Sequence, residues 1–148
     1  MNKLKILIYP NDEKILRKKS FKVNLFDGLF KQFVNDMLYT LKEEPNGIGL
    51  SAVQVGVLKN VFVVDLKNDT SPLVFVNPKI TWKSEETLEY EEGCLSLPNY
   101  AKKMCRSKEI EIKYKDQNGN VQIKKLDGLL AIVCQHEYDH LEGKLLND

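Results

Sequence analysis

The chain has 148 residues, of which 43% are hydrophobic and 29% charged, and these values suit one globular domain over residues 1–148. Its 22 basic and 21 acidic residues leave a formal net charge of +1, which gives no electrostatic case for binding nucleic acid or an anionic membrane. No apolar run approaches the roughly 20 residues that span a bilayer, and the N-terminal apolar stretch is too short for a signal peptide. We therefore expect a cytoplasmic protein.

The N-terminal part predicts a short strand followed by two helices. The apolar stretch ending at Pro10 is predicted to be a strand, and Asp12 can cap a short helix through about Lys18. A longer helix is predicted over 25–43, because apolar residues recur there at helical spacing. These residues are Leu25, Leu29, Phe33, Met37, Leu38 and Leu41. The segment "EEPNG" ends this helix, since proline and glycine break helices.

From residue 60 the sequence is typical of strands. β-Branched and aromatic residues predict strands over 60–66, 73–80, 109–115 and 121–126, with an exposed strand over 81–93 that leads into an acidic turn. Asn118-Gly119 predicts a hairpin between the last two strands. A final helix is predicted to start after Asp127 as N-cap and to end at Gly143. Strands and a few helices without regular alternation indicate an α+β fold.

Both histidines of the chain lie in the final helix, in the segment "CQHEYDHLEG". Residues four apart project from one helix face, because each residue turns the helix by about 100°. His136 and His140 can therefore bind one ion, while Glu137 can reach a water on that ion. This is the HExxH arrangement of metal-dependent hydrolases. The alternative is that both are ordinary histidines at the surface or core edge.

A catalytic metal of this kind usually has three protein ligands and an open position. The chain has no third histidine and continues only eight residues beyond His140, so we expect the third ligand upstream. Cys134 points about 200° away from His136 around the helix and is predicted to be a core thiol. Cys94 lies in the turn-like segment "EYEEGCLSLP" and is favoured as the third ligand. Cys105, at the head of a predicted strand, remains the alternative.

Three segments resemble the signature motifs of one family. "GIGLSAVQVG" (47–56), "EGCLSLP" (92–98) and "QHEYDHLEG" (135–143) are similar to the motifs of peptide deformylase, in the same order. The resemblance implies removal of the formyl group from the N-terminal formylmethionine of new polypeptides. The fold expected is α+β, with antiparallel β-sheets packed around a C-terminal helix that holds the HExxH motif, and with one long N-terminal helix.

The resemblance also implies roles for single residues. It implies three ligands for one divalent ion per chain, namely Cys94, His136 and His140. The native ion is expected to be Fe(II), with zinc, nickel or cobalt able to replace it. Glu137 is implied as the general acid and base on a metal-bound water. Gln54 and the backbone N–H of Leu95 are implied as donors to the oxyanion.

A peptide-binding site is implied as well. Ile48 and Gly49 resemble the family's peptide-binding edge, which Gly93 faces. Ile132 and Val133 resemble its methionine pocket, although both could be ordinary core residues. Arg106 matches a basic residue near that pocket, although it could be a solvated charge at a strand end.

Three departures accompany the resemblance, and two other functions compete with it. Ser51 lies where the family usually has alanine and Leu146 where phenylalanine is common. The sequence ends at Asp148, where many bacterial members continue into a C-terminal helix, so a transient ribosome contact is expected to be in doubt. A zinc endopeptidase is the nearest other enzyme. A structural metal-binding module or an inactive homologue is the alternative outside enzymes.

Overall fold

The structure, a computed structural model, describes residues 1–148. The helices are α1 (Glu13–Leu16), α2 (Gly28–Lys42) and α3 (Leu129–Leu141), with a 3₁₀ helix at Ala52–Val55. The strands are β1 (Gly49–Ser51), β2 (Val61–Val64), β3 (Leu73–Lys83), β4 (Thr87–Cys94), β5 (Leu97–Ser107), β6 (Glu109–Lys115) and β7 (Val121–Asp127). None of the helices is both long enough and apolar enough to cross a bilayer.

The strands form two antiparallel sheets. The larger sheet has five strands in the order β1-β2-β3-β6-β7, and β4 pairs with β5 in a separate hairpin. The predicted hairpin connects β6 to β7, with Gly119 at a φ of 88° in its turn. The α+β fold with antiparallel sheets and a C-terminal helix is thereby confirmed.

The five-stranded sheet has a helix on each face. Successive side chains of a strand point to opposite faces, so Val61 and Val63 of β2 join the apolar cluster that packs on α2. Phe62 and Val64 join the cluster that packs on α3. All four are at most 2% exposed, and the central sheet therefore holds the two helices in fixed positions.

The long N-terminal helix is shorter at its start than predicted. The carboxylate of Asp27 accepts a hydrogen bond of 2.9 Å from the Phe30 N–H, and this cap begins the helix at Gly28. Leu25 therefore lies outside the helix and is 67% exposed, while Leu29 is 82% exposed. Phe30, not Leu29, faces the core. The predicted apolar face was wrong in its first turn and right at Met37 and Leu41.

The predicted N-terminal strand was wrong. Its backbone bonds to distant backbone carbonyls only from Leu7 N–H to Gln54 at 2.7 Å and from Tyr9 N–H to Ser96 at 2.9 Å. The N–H groups of Asn2 and Leu4 donate instead to side chains of α2, and such isolated bonds do not make a ladder. Asp12 uses its carboxylate for the Ile8 N–H at 2.8 Å rather than for α1, and α1 ends at Leu16.

The predicted strand over 81–93 is divided between two elements. Its first residues extend β3 to Lys83, and β4 begins at Thr87. The partner strand β5 was not predicted at all. Only Glu92 in β4 and Leu97 in β5 are buried, so this hairpin lacks the apolar alternation by which a strand is recognised.

The final helix differs from prediction at its start and agrees at its end. Asp127 is the last residue of β7, and Gly128, with a φ of 67°, turns the chain into α3. Asp127 is therefore not the N-cap. At the other end, Gly143 has a φ of 79° and donates to the His140 carbonyl, while Lys144 donates to the Asp139 carbonyl. These two bonds form a Schellman motif.

Candidate metal centre and active site

The second half of α3 holds both histidines in the interior. His136 is 8% exposed and His140 is 1% exposed. Their Nε2 atoms lie 3.2 Å apart, as the spacing of one helical turn predicts. The apolar residues Val133, Cys134 and Leu141 of the same helix pack against the sheet, so the imidazoles are held on a helix that is itself buried.

The end of β4 brings a thiol to the two imidazoles. Cys94 Sγ lies 3.3 Å from His140 Nε2, and the donor atoms of Cys94, His136 and His140 all lie within 4.8 Å of one another. Cys105 is exposed on β5, and Cys134 is fully buried in the cluster beneath α3. A thiolate and two imidazoles suit zinc, iron, nickel or cobalt better than magnesium or calcium. The donor set therefore fits one transition-metal ion.

A chain of charged residues behind His136 was not predicted from the sequence. His136 Nδ1 lies 2.9 Å from Glu92 Oε1. Glu92 accepts two hydrogen bonds from Arg106, at 2.6 and 3.0 Å, and Arg106 also donates to Asp139 at 2.9 Å. Glu92 and Cys94 lie two residues apart at the end of β4, and both reach the histidines of α3. The register of β4 with β5 shifts between Gly93 and Cys94, so simple alternation along the strand would not have indicated Glu92.

Arg106 was expected near the methionine pocket or, alternatively, as a solvated charge; it lies behind Glu92, which lines the cleft described below. Its side chain is 9% exposed and it is not among the residues that line that cleft. The guanidinium faces Glu92 and Asp139 instead. Its contacts are those of a residue that holds Glu92 in place.

The electrostatics of the site distinguish the two histidines. Burial opposes the charged form of His136, but hydrogen bonds with Cys94 and Glu92 outweigh it and raise the pKa to about 10. Burial, His136 and Arg106 together hold the pKa of His140 well below its usual range. Burial also opposes the charge of Glu92, yet its hydrogen bonds from His136 and Arg106 lower its pKa. These contacts favour the protonated form of His136, and a divalent ion bound at Nε2 would take the place of that proton.

Glu137 lies beside the metal donors without joining them. It is 4% exposed, and its Oε2 lies 3.8 Å from His136 Nε2. Burial raises its pKa, against the opposing effects of His136 and of a hydrogen bond from Ser51. A carboxyl group with a raised pKa is suited to proton transfer near neutral pH. Gly49 makes room for it, because a Cβ at that position would lie 2.6 Å from Glu137 Oε2.

Two hydrogen-bond donors lie near Cys94. The Ser51 N–H donates to Gln54 Oε1 at 2.9 Å, so the Gln54 amide turns its Nε2 toward Ser96 Oγ at 3.1 Å and Cys94 Sγ at 3.5 Å. Leu95 occupies the turn between β4 and β5, and its N–H donates no backbone hydrogen bond. Both groups expected to hold an oxyanion thus line one cleft with Cys94 and His136.

The cleft has a volume of about 560 Å³ and includes five of the six residues predicted to bind substrate. These are Ile48, Gly49, Gly93, Ile132 and Val133. Ile132 and Val133 are also 2% and 5% exposed, so they line the cleft and belong to the interior at once. β1 pairs only with β2, and its other edge has no partner strand.

Two aromatic residues of the cleft were missed from the sequence. Tyr90 on β4 and Tyr100 on β5 line it, with exposures of 45% and 38%. They belong to the hairpin that the sequence did not predict, and nothing in the local sequence indicates that both line the same cleft. The cleft therefore lies between β1, the β4–β5 hairpin and α3.

The fold and the site define a metal-dependent hydrolase with its HExxH helix in the core. The family model of polypeptide deformylase matches residues 3–148. Peptide deformylase 1 of Clostridium perfringens is 48% identical over 138 residues, covering 93% of this chain and 92% of the relative. The crystal structure of peptide deformylase from Thermotoga maritima aligns with a TM-score of 0.93 at 36% identity, covering 100% of this chain and 97% of that one.

A further solved relative contains a ligand. The peptide deformylase from Synechococcus elongatus, solved in complex with actinonin, aligns with a TM-score of 0.90 at 39% identity, covering 98% of this chain and 77% of that one. These matches show that the chain belongs to the polypeptide deformylase family. It is a metal-dependent hydrolase that removes the N-formyl group from the N-terminal methionine of nascent polypeptides.

Proposed function

We propose that residues 1–148 act as one catalytic domain in which Cys94, His136 and His140 hold a single divalent ion. The convergence of their donor atoms within 4.8 Å supports this assignment. We propose Fe(II) as the native ion, with zinc, nickel or cobalt able to replace it, because the donor set mixes one thiolate with two imidazoles. When bound, the ion lowers the pKa of a water molecule and supplies a nucleophile at neutral pH.

Glu137 is the group that moves protons. Its Oε2 faces the metal donors, 3.8 Å from His136 Nε2, while it is not one of the three convergent donors. From this position it accepts a proton from the attacking water and later delivers one to the leaving amine. Its burial and raised pKa favour both steps. General acid–base catalysis of this kind contributes about 10²–10⁴ in rate.

Gln54 and Leu95 stabilise the oxyanion that forms on the formyl group. The Ser51 N–H fixes the Gln54 amide with Nε2 toward the cleft, and the Leu95 N–H is not used by another backbone carbonyl. Such preorganised donors cost no rearrangement when charge develops. Loss of one donor typically costs on the order of 10²–10³ in rate.

The open edge of β1 binds the peptide as an added strand. Gly49 offers backbone groups there, next to Ile48, whose carbonyl accepts a hydrogen bond from the Asp65 N–H at 2.8 Å. Gly93 lies across the cleft. Main-chain hydrogen bonds at a sheet edge accept many sequences, as an enzyme of nascent chains requires. Ile132 and Val133 line the apolar end and contact the methionine side chain. Since nascent chains are made in the cytoplasm, we propose that the enzyme acts there.

We propose that Arg106 supports the metal centre from behind Glu92. It holds Glu92 with two hydrogen bonds, and Glu92 holds His136 through Nδ1. Partners of this kind fix the tautomer and orientation of a metal-binding imidazole. Arg106 therefore acts on the ion through two other residues.

The test compares formyl-Met-Ala-Ser with unformylated Met-Ala-Ser on protein purified without oxygen. The metal-free protein is divided into portions loaded with Fe(II), Ni(II) or Zn(II), and each is assayed for released formate. We expect formate only from the formylated peptide, with the Fe(II) form losing activity in air sooner than the Ni(II) form, because an iron-bound thiolate is exposed to oxidation. Equal decay of both forms would contradict iron-linked oxidation.

Actinonin provides a second probe of the cleft. We propose that it binds this chain where it binds the Synechococcus elongatus relative, since that structure aligns over 98% of this chain. It should compete with formyl-Met-Ala-Ser and raise the apparent KM. Inhibition that leaves the KM unchanged would argue that peptide and actinonin occupy different places.

A further inference from the structure

Ser51 is the last residue of β1, and its side chain meets Glu137 in the interior. Ser51 is 0% exposed. Its Oγ lies 2.9 Å from Glu137 Oε1 and 3.0 Å from the Glu137 carbonyl oxygen. No other group of the chain donates a hydrogen bond to the Glu137 carboxylate.

The strand geometry explains how two residues of β1 confine one carboxylate. Gly49 and Ser51 are two apart and point to the same face of the strand. A Cβ at Gly49 would collide with Glu137 Oε2, so the carboxylate lies directly against the glycine. Ser51 meets the other oxygen, Oε1. One oxygen is thus held by a hydrogen bond, while Oε2 faces His136 Nε2 at 3.8 Å.

The Ser51 hydroxyl has two possible acceptors, and they differ in whether another donor is available to them. The carbonyl of Glu137 lies within α3, where the N–H four residues later is its ordinary partner. The carboxylate is buried and has no other donor, and an unpaired buried oxygen is costly. A hydroxyl has one proton and rotates to suit its acceptor. The carboxylate is therefore the favoured acceptor.

We propose that Ser51 is a positioning residue for catalysis: its hydroxyl fixes Glu137 Oε1 so that Oε2 points at the metal donors. The proposal rests on the proton-transfer role of Glu137 given above. Ser51 also fixes Gln54, but through its backbone N–H, and that contact survives any side-chain change except proline. The hydroxyl also faces the Gln54 backbone in a capping box at the start of the 3₁₀ helix, so the second experiment below isolates its effect on Glu137.

The first experiment is Ser51→Ala, with Ser20→Ala as the matched control. Ser20 is also a buried serine, and its hydroxyl has no partner. Ser51→Ala should lower kcat roughly 5- to 30-fold, within the range that a small misplacement of a catalytic group costs. KM and metal content should stay near wild type, and Ser20→Ala should leave kcat unchanged. An unchanged kcat in Ser51→Ala would overturn the proposal.

The second experiment asks whether the effect passes through Glu137. In a Glu137→Gln background, Ser51→Ala should cause no further fall in kcat, because no proton transfer remains to be aligned. The same fold loss in both backgrounds would mean a general structural role and would overturn the proposal. Full activity of Glu137→Gln alone would instead refute the proton-transfer role, so the two failures are distinguishable.

Two further measurements guard against a folding defect. Ser51→Cys retains the volume of the side chain with only a weak donor. A packing role predicts that cysteine restores kcat, whereas the positioning role predicts a kcat close to that of alanine. Crystal structures of metal-free wild type and Ser51→Ala should show the Glu137 carboxylate displaced in the variant. A carboxylate at the same place in both structures, or recovery of kcat by cysteine, would overturn the proposal.

Discussion

Helices α2 and α3 lie on opposite faces of one sheet and differ in what they bury. α2 buries a mainly apolar stripe, with Met37 and Leu41 fully inside. α3 is apolar in its first turns and ionisable in its last, yet nine of its 13 residues are buried, including His136, Glu137 and His140. The comparison indicates that the apolar turns of α3 hold its polar turns in a buried position at the cleft, whereas no residue of α2 lines the cleft.

The largest effect is expected from removing the thiol that reaches α3. Cys94→Ala should lose the metal and with it all measurable deformylation, because two imidazoles alone leave the donor set incomplete. Metal content per chain and formate release check this. Cys134→Ala, within α3 but facing the sheet, is the control and should keep its metal. The reverse result would show that the wrong thiol is assigned.

The next effect separates chemistry from binding within α3. Glu137→Gln keeps the size of the side chain but cannot accept a proton, so kcat should fall by about 10²–10⁴. Metal content, melting temperature and KM should change little. Glu142→Gln, just after α3, is the control and should have the kcat of wild type. Loss of metal from Glu137→Gln would make it a ligand rather than a proton carrier.

A smaller effect is expected behind His136. Glu92→Gln keeps an acceptor for Nδ1 but removes a charge that Arg106 pairs with, and metal affinity should fall about 10- to 100-fold. Competition with a chelator measures this affinity. Glu89→Gln is the control on the same strand, since the Glu89 side chain is 62% exposed. Equal metal affinities of Glu92→Gln and Glu89→Gln would show that Glu92 does not contribute to metal binding.

The smallest effect on activity is expected from α2. Met37→Ala should lower the free energy of unfolding by about 2–5 kcal/mol, because it opens a cavity in the core. The kcat of the folded fraction should not change. Leu29 on the same helix is 82% exposed, so Leu29→Ala is the control and should change the free energy of unfolding by less than about 0.5 kcal/mol. A fall in kcat of Met37→Ala without a fall in the free energy of unfolding would show that α2 affects catalysis directly.

Prediction from the sequence succeeded where the signal is local. The helical spacing of His136 and His140 and the turn at Gly119 depend on neighbours in the chain, and both agree with the structure. The prediction for the first turn of α2 was wrong, because the Asp27 cap begins the helix at Gly28 and leaves the Leu29 side chain in solvent. The prediction of the β4–β5 hairpin was incomplete, because its residues are mostly exposed and show no apolar alternation.

The sequence by itself determined the family, the α+β class and the helix on which two metal donors share a face, since these depend on motifs and short spacings. Only the tertiary structure decided that Cys94 and not Cys105 meets the histidines, that Glu92 and Arg106 support His136, and that Ser51 reaches Glu137. Glu92 and His136 are 44 positions apart in the chain, and Ser51 and Glu137 are 86 positions apart. Pairing of strands and packing of α3 on the sheet set such distances, and neither is written in a local pattern.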